Sequence, residues 1–247
     1  MSNRFLLFAA AVSILLLSSA CSPKKRTPAA LLSDAVAAGS RGDWKEALAI
    51  SSEALENAPG NRDILLFSAL ALENTGKMEE AVNRVQSISS DPGDFMIQYT
   101  LGRMLFKQGR LEQCIVPLKY AEQASPRDVN TLILLAKATL RLNTKDAAGY
   151  QKKLLSFPAF VNSPVVFNEL GVIKALQGKP RDALVFLLDR RATLPVSVLN
   201  AAIVCDWHLN EKSQAEALYR KYLRLTARNP ELEQERFAVT RRLQDIR

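Results

Sequence analysis

A short motif returns six times along the chain, and that periodicity constrains the fold more than any single residue does. The stretch "GDWKEAL" at 42–48 recurs as "GKMEEAV" at 76–82, "GRLEQCI" at 109–115 and "GKPRDAL" at 178–184. Two degenerate copies, "NTKDAAG" at 143–149 and "NEKSQAE" at 210–216, carry Asn where the others carry Gly. Both residues tolerate the left-handed backbone of a tight turn between two helices. Five residues after each turn residue stands a small side chain: Ala47, Ala81, Cys114, Ala148, Ala183 and Ala215, at intervals of 34, 33, 34, 35 and 32. A small residue at a fixed place suits the crossing point of two close helices. One such pair cannot bury its apolar face alone, so neighbouring pairs must stack.

Flanking positions complete the unit. Leu101–Gly102, Leu135–Ala136 and Leu170–Gly171 place a second small side chain twelve residues before the first, where it lets one helix approach its neighbour. Pro59, Pro126 and Pro195 lie twelve residues beyond it and Pro92 eleven beyond, marking the exit from the second helix. In this order of Leu-small, Gly turn, Ala and Pro the chain resembles the tetratricopeptide repeat, over about residues 28 to 229. The first repeat departs from it with Asp34 and Ala35, and the fourth and sixth lack the closing Pro. The resemblance implies an all-α protein, a right-handed α-solenoid of about six helix pairs over 31–229. A capping helix is expected at 230–247. There Asn229 is placed to cap, Pro230 to open the helix and Glu231 and Glu233 to complement its dipole. Leu232, Val239, Leu243 and Ile246 share one face, leaving a polar back.

Composition agrees with helices: 48% of residues are apolar, Ala and Leu are abundant, and there are only 10 Gly. The chemistry-bearing residues are sparse. His208 is the single histidine, and Cys21, Cys114 and Cys205 are too scattered for a metal site. No phosphate-binding glycine loop occurs, and the Glu79–Glu80 pair reads as a solvated helix start. No enzyme, no metal and no cofactor is therefore expected. Cys114 and Cys205 are expected as buried thiols, since three repeats separate them by far more than the ~7 Å that a disulfide spans.

Residues 5–17, "FLLFAAAVSILLL", form a 13-residue apolar run behind Arg4. That is the form of a secretory signal and short of the roughly 20 apolar residues of a membrane span. Ser18, Ser19 and Ala20 lead into Cys21, and here the chain resembles a bacterial lipoprotein signal, cut before a diacylated cysteine. Leu17 stands four residues before Cys21 instead of the usual three, with Ser18 in the usual place. An uncleaved anchor, or a signal cut elsewhere, remains the other reading. The resemblance implies a signal peptide at 1–20, a lipidated (palmitate-bearing) Cys21 and a polar tether at 21–30. Ser22 after the cysteine points to the outer membrane, facing the periplasm. Removing residues 1–20 takes away Arg4 alone and lowers the formal charge from +8 to +7.

A groove lined by the first helix of each pair is the expected interaction surface. Its inward residues are Tyr99, Arg103, Phe106 and Lys107 in the third repeat, and Asn130, Ile133, Lys137 and Arg141 in the fourth. Arg103 and Lys137 are 34 apart, as are Lys107 and Arg141, which makes a two-rung basic ladder. The fifth repeat continues with Val172 and Leu176 beside Asn168. A groove basic at one end and apolar at the other suits an acidic-apolar peptide. The same positions read equally well as solvated charges. Nucleic acid is not an expected partner, because stacking platforms are few. The resulting expectation is a membrane-tethered scaffold for other envelope proteins, resembling lipoproteins of pilus and secretion-system assembly. The alternative is a periplasmic chaperone-like or cell-wall-complex adaptor.

Overall fold

The protein is described here by a computed structural model covering residues 26–246. The expected signal at 1–20, the lipidation site Cys21 and residues 22–25 of the expected tether lie outside the described residues. All regular structure among the described residues is helical, as expected from the repeats. The chain divides into two compact units, one ending at Ile88 and one running from Ser89.

The first unit holds α1 (Pro28–Ser40), α2 (Trp44–Asn57), α3 (Arg62–Asn74) and α4 (Met78–Gln86). The second holds α5 (Phe95–Lys107), α6 (Leu111–Ala124), α7 (Val129–Arg141), α8 (Ala147–Leu155), α9 (Pro164–Leu176) and α10 (Pro180–Leu187). It continues with α11 (Pro195–Ile203), a π turn (Val204–His208), α12 (Lys212–Thr226), a 3-10 turn (Pro230–Leu232) and α13 (Glu233–Asp245). None of these helices is long and apolar enough to cross a membrane. Helix α1 starts inside the stretch expected as tether, and Arg26 just before it pairs with Asp34 and Glu53 at 3.2 and 2.8 Å.

First and second helices begin differently. Thr27, Asn61, Asp94, Asp128 and Ser163 each cap a first helix by accepting a hydrogen bond from the backbone N–H three residues on. Each satisfies a donor that the helix leaves orphaned. The second helices have no side-chain cap and are entered through the turn instead. Gly42, Gly76, Gly109, Gly178, Asn143 and Asn210 all have positive φ, between 50° and 85°. The repeat-derived turn residues are thus the left-handed positions among the described residues. After each of the first five, the next N–H donates back five residues, as Asp43 does to the Ala38 carbonyl, and closes a Schellman turn.

Within the second unit each helix packs on the next, from α5 through α13. The small residues of the motif lie at these crossings. Ala47, Ala81, Cys114, Ala183 and Ala215 are fully buried. The fourth repeat is a correction: Ala147, not Ala148, takes the buried place. The Thr144–Asp146 stretch makes an extra short turn after Asn143, with Ala147 N–H donating to the Thr144 carbonyl, so α8 starts late. Pro195 is a second correction. Helix α10 ends early, at Leu187, and Pro195 opens α11 as its first residue instead of marking an exit. Its missing N–H costs nothing there.

Gly102 and Gly171 show why the first helices need small residues. A Cβ on Gly102 would lie 2.5 Å from Leu118 Cγ, and one on Gly171 2.4 Å from Leu187 Cγ. Leu118 and Leu187 fill those spaces from α6 and α10. At the C-terminal end Val239 and Leu243 of α13 are buried against Tyr219, Tyr222 and Ala215, with Ile246 half-buried beside them. Asn229 caps the 3-10 turn that precedes α13, accepting from the Glu231 N–H at 3.0 Å.

Candidate functional site

The residues expected to line a groove lie on three first helices of the second unit. Helix α5 carries Tyr99, Arg103 and Phe106, all half-buried, and the exposed Lys107. Helix α7 carries the exposed Asn130, Lys137 and Arg141, and α9 carries the half-buried Asn168. Helices α5 and α7 touch directly. The Arg141 guanidinium sits 5.3 Å from the centre of the Phe106 ring, so one rung of the ladder is joined across the two helices by a cation–π contact. Tyr99 stacks on Phe95 of its own helix at 5.7 Å. Burial raises the Tyr99 phenol above its ordinary range, opposed by the positive charge of Arg103. Tyr99 therefore presents a neutral hydroxyl. Asn168 reaches the other way: its side-chain oxygen accepts from Asn200 Nδ2 on α11 at 2.9 Å.

Glu169 lies beside this surface and changes its charge pattern. Burial raises its carboxyl above the ordinary range, while a hydrogen bond from Gln151 at 2.5 Å and the charge of Lys137 pull it back. The basic ladder thus ends against an acid in α9, ahead of Val172 and the exposed Leu176.

No cluster of His, Cys, Asp and Glu among the described residues could hold a metal ion. His208 is exposed at the end of the π turn. Cys114 and Cys205 are both free and buried, as expected. Burial pushes the Cys114 thiol up to about 11, and it donates to the Leu111 carbonyl at 3.1 Å. A thiol held protonated in this way is a packing group and a poor nucleophile.

Residues 40–94 match the family model of the tetratricopeptide repeat. That stretch of the chain carries tetratricopeptide-repeat sequence. Solved TPR structures share the fold at low identity. MamA residues 41 to the end, from Desulfovibrio magneticus RS-1, align at 20% identity and a TM-score of 0.55, covering 67% of this chain and 94% of that one. PilF of Pseudomonas aeruginosa aligns at 19% identity and 0.56, covering 85% and 97%. YrrB, described as a TPR protein with an unusual peptide-binding site, aligns at 14% identity and 0.59, covering 72% and 93%. A search of curated proteins returned no match.

One constellation in the last helix pair escaped the reading of the sequence. Asp206, fully buried on its side chain, accepts from Arg242 Nε and a terminal guanidinium nitrogen at 2.7 and 2.9 Å. Lys212 Nζ at 2.6 Å and the Tyr219 hydroxyl at 3.2 Å also donate to it. These bonds, Arg242 first, lower the Asp206 carboxyl to about 2. Arg242 also covers the Trp207 ring at 4.4 Å. The arrangement joins α13 to the last helix pair, and none of its buried side-chain polar atoms is left without a partner. Asn200 was findable, because it stands 32 residues after Asn168, the interval separating Ala183 from Ala215. Asp206 and Arg242, 36 apart and in unlike elements, left no such signal.

Proposed function

We propose that this TPR protein is a lipid-tethered scaffold of a bacterial cell envelope, holding partner proteins through an acidic segment laid on the α5–α7 face. The observation that carries the reading is the register of four cations on two touching helices. Arg103 and Lys107 of α5 recur as Lys137 and Arg141 of α7, one repeat later, with Arg141 seated on Phe106. A carboxylate-bearing segment crossing both helices would meet cations at a helical-repeat spacing, and Val172 and Leu176 lie beyond them for its apolar part. The peptide-binding site ascribed to YrrB makes peptide capture a natural use of such a face. The signal-like residues 1–20 and Cys21 support a lipid anchor, with the outer membrane and its periplasmic face as the site of action. The likeness in fold to PilF is compatible with a part in envelope assembly such as pilus or secretion-system biogenesis.

Crosslinking and pull-down from native membranes tests the face. Replacing Arg103, Lys107, Lys137 and Arg141 by Glu is expected to abolish capture while the helical circular-dichroism spectrum is retained; unchanged capture overturns the reading. For the anchor, Cys21→Ala is expected to lose acyl label and membrane retention, and full retention would reject it.

A further inference from the structure

A second surface of the same unit lies in the last two helix pairs. Between the loop after α10 and helix α12 a cleft opens, floored by Leu187, Ala192 and Val198. Leu188 and Leu225 stand on its rim, 43% and 53% exposed. Arg190 and Lys221 line the same cleft. Lys221, Arg224, Leu225 and Arg228 follow at i, i+3, i+4 and i+7, which is one face of a helix. Helix α12 ends at Thr226, but Ala227 keeps right-handed helical angles and carries that face on to Arg228.

One carboxylate, Asp189, also lines the cleft, and like Glu216 of α12 it is engaged by an arginine. Asp189 is held by Arg191 through bonds of 2.8 and 2.9 Å, and Glu216 by Arg220 through bonds of 3.1 and 2.7 Å. Among the described residues Lys221, Arg224 and Arg228 make no ion pair. Single exposed leucines are ordinary on a protein surface. Two exposed leucines lining one indentation with an apolar floor, with Arg190 and Lys221 beside them and Arg224 and Arg228 along the same face of α12, form a site whose charge and shape are complementary to one kind of ligand.

We infer that this cleft is a docking site for an acidic protein segment that carries an apolar side chain. The apolar side chain enters between Leu188 and Leu225, and its flanking carboxylates pair with Arg190, Lys221, Arg224 and Arg228. An anionic bilayer offers the charge but presents a flat surface that leaves the indentation empty; a side chain fills it. The inference rests on the interaction-scaffold reading and adds a second surface to it, made by the loop after α10 and by α12 with Val198 of α11 in its floor, where the α5–α7 face is made by first helices. A chain with both surfaces holds two acidic segments at once.

Isothermal titration of the full chain with a synthetic peptide of glutamates and leucines separates the two surfaces. The wild type is expected to bind two peptides per chain. The Lys221→Glu/Arg224→Glu variant, changed only at exposed positions, is expected to bind one, its second site weakened at least tenfold. Reversal of the four α5–α7 cations is also expected to leave one, and the combination none. A single peptide lost only in the α12 variant supports the cleft and rejects the α5–α7 face. A stoichiometry that Lys221→Glu/Arg224→Glu leaves unchanged overturns the cleft. If that variant instead loses only its binding to phosphatidylglycerol vesicles, the face is a membrane contact and the inference is wrong.

Discussion

Five first helices follow one path and the sixth does not. From first helical residue to turn residue, Pro28 to Gly42, Arg62 to Gly76, Phe95 to Gly109, Val129 to Asn143 and Pro164 to Gly178 are each 14 residues apart. Pro195 to Asn210 is 15. The extra residue does not loop out. It widens the helix into the π turn at Val204–His208, and the closing bond runs back six residues, from Glu211 N–H to the Cys205 carbonyl, where the other five run back five. The turn residue keeps its place because α12 must still pack on α11. The helix absorbs the insertion, as π turns in α-helices generally do. What this changes is the direction of two side chains: Asp206 turns inward to meet Arg242, and Trp207 is left 67% exposed.

The strongest way to break this comparison is at Asp206. Asp206→Ala strands Arg242 and Lys212 and unfastens α13, and a loss of about 3 kcal/mol is expected by urea titration, the range for breaking a buried ion pair. The effect also carries a pH signature. The folded-state pKa of Asp206 is lowered to about 2, from the ordinary value near 3.8. Its stabilisation is therefore fully present above about pH 4 and lost as pH falls through about 2. The gap between wild type and Asp206→Ala is expected to narrow over that window; a gap independent of pH would place the effect in packing instead.

A smaller effect sharpens the contrast among the regular pairs. Gly171→Ala drives a Cβ to 2.4 Å from Leu187 Cγ, whereas α7 already carries Ala136 at the matching position. A cost of about 2 kcal/mol, read as a lowered urea midpoint, is expected from overpacking. The smallest effect is at the turns. Gly178→Ala at φ +69° is expected to cost about 1 kcal/mol, and Asn210→Gly at φ +56° to gain about 0.5 kcal/mol, because only glycine takes the left-handed region without steric cost. Equal responses of the two turns would show that the π turn, and not the steric limit, governs the sixth.

The helix pairs were legible because their signals are local. A left-handed turn needs Gly or Asn, and a tight crossing needs Ala, Cys or Gly, so residues 42, 76, 109, 143, 178 and 210 announced the turns directly. The third- and fourth-repeat cations were legible by the same spacing, and the Arg141–Phe106 contact joins one rung of them. Where the spacing was stretched, sequence reading slipped. Ala148 yields to Ala147 after the extra turn at Thr144–Asp146, and Pro195 opens a helix because α10 stops early. Glu169 left no signal in the sequence because the Lys137 charge that acts on it comes from another helix.

The sequence by itself determined the all-helical pairing, the six turns, and the small residues at the crossings, since each depends on the steric demands of a residue and its near neighbours. Only the tertiary structure decided that Asp206 would fasten α13, that Trp207 would face outward, and that Arg190 of one loop would share a cleft with Lys221 of α12. Those depend on how a helix one residue too long accommodates its neighbours and on which segments meet at the end of the chain. Burial and charge pairing between distant segments leave no period to read.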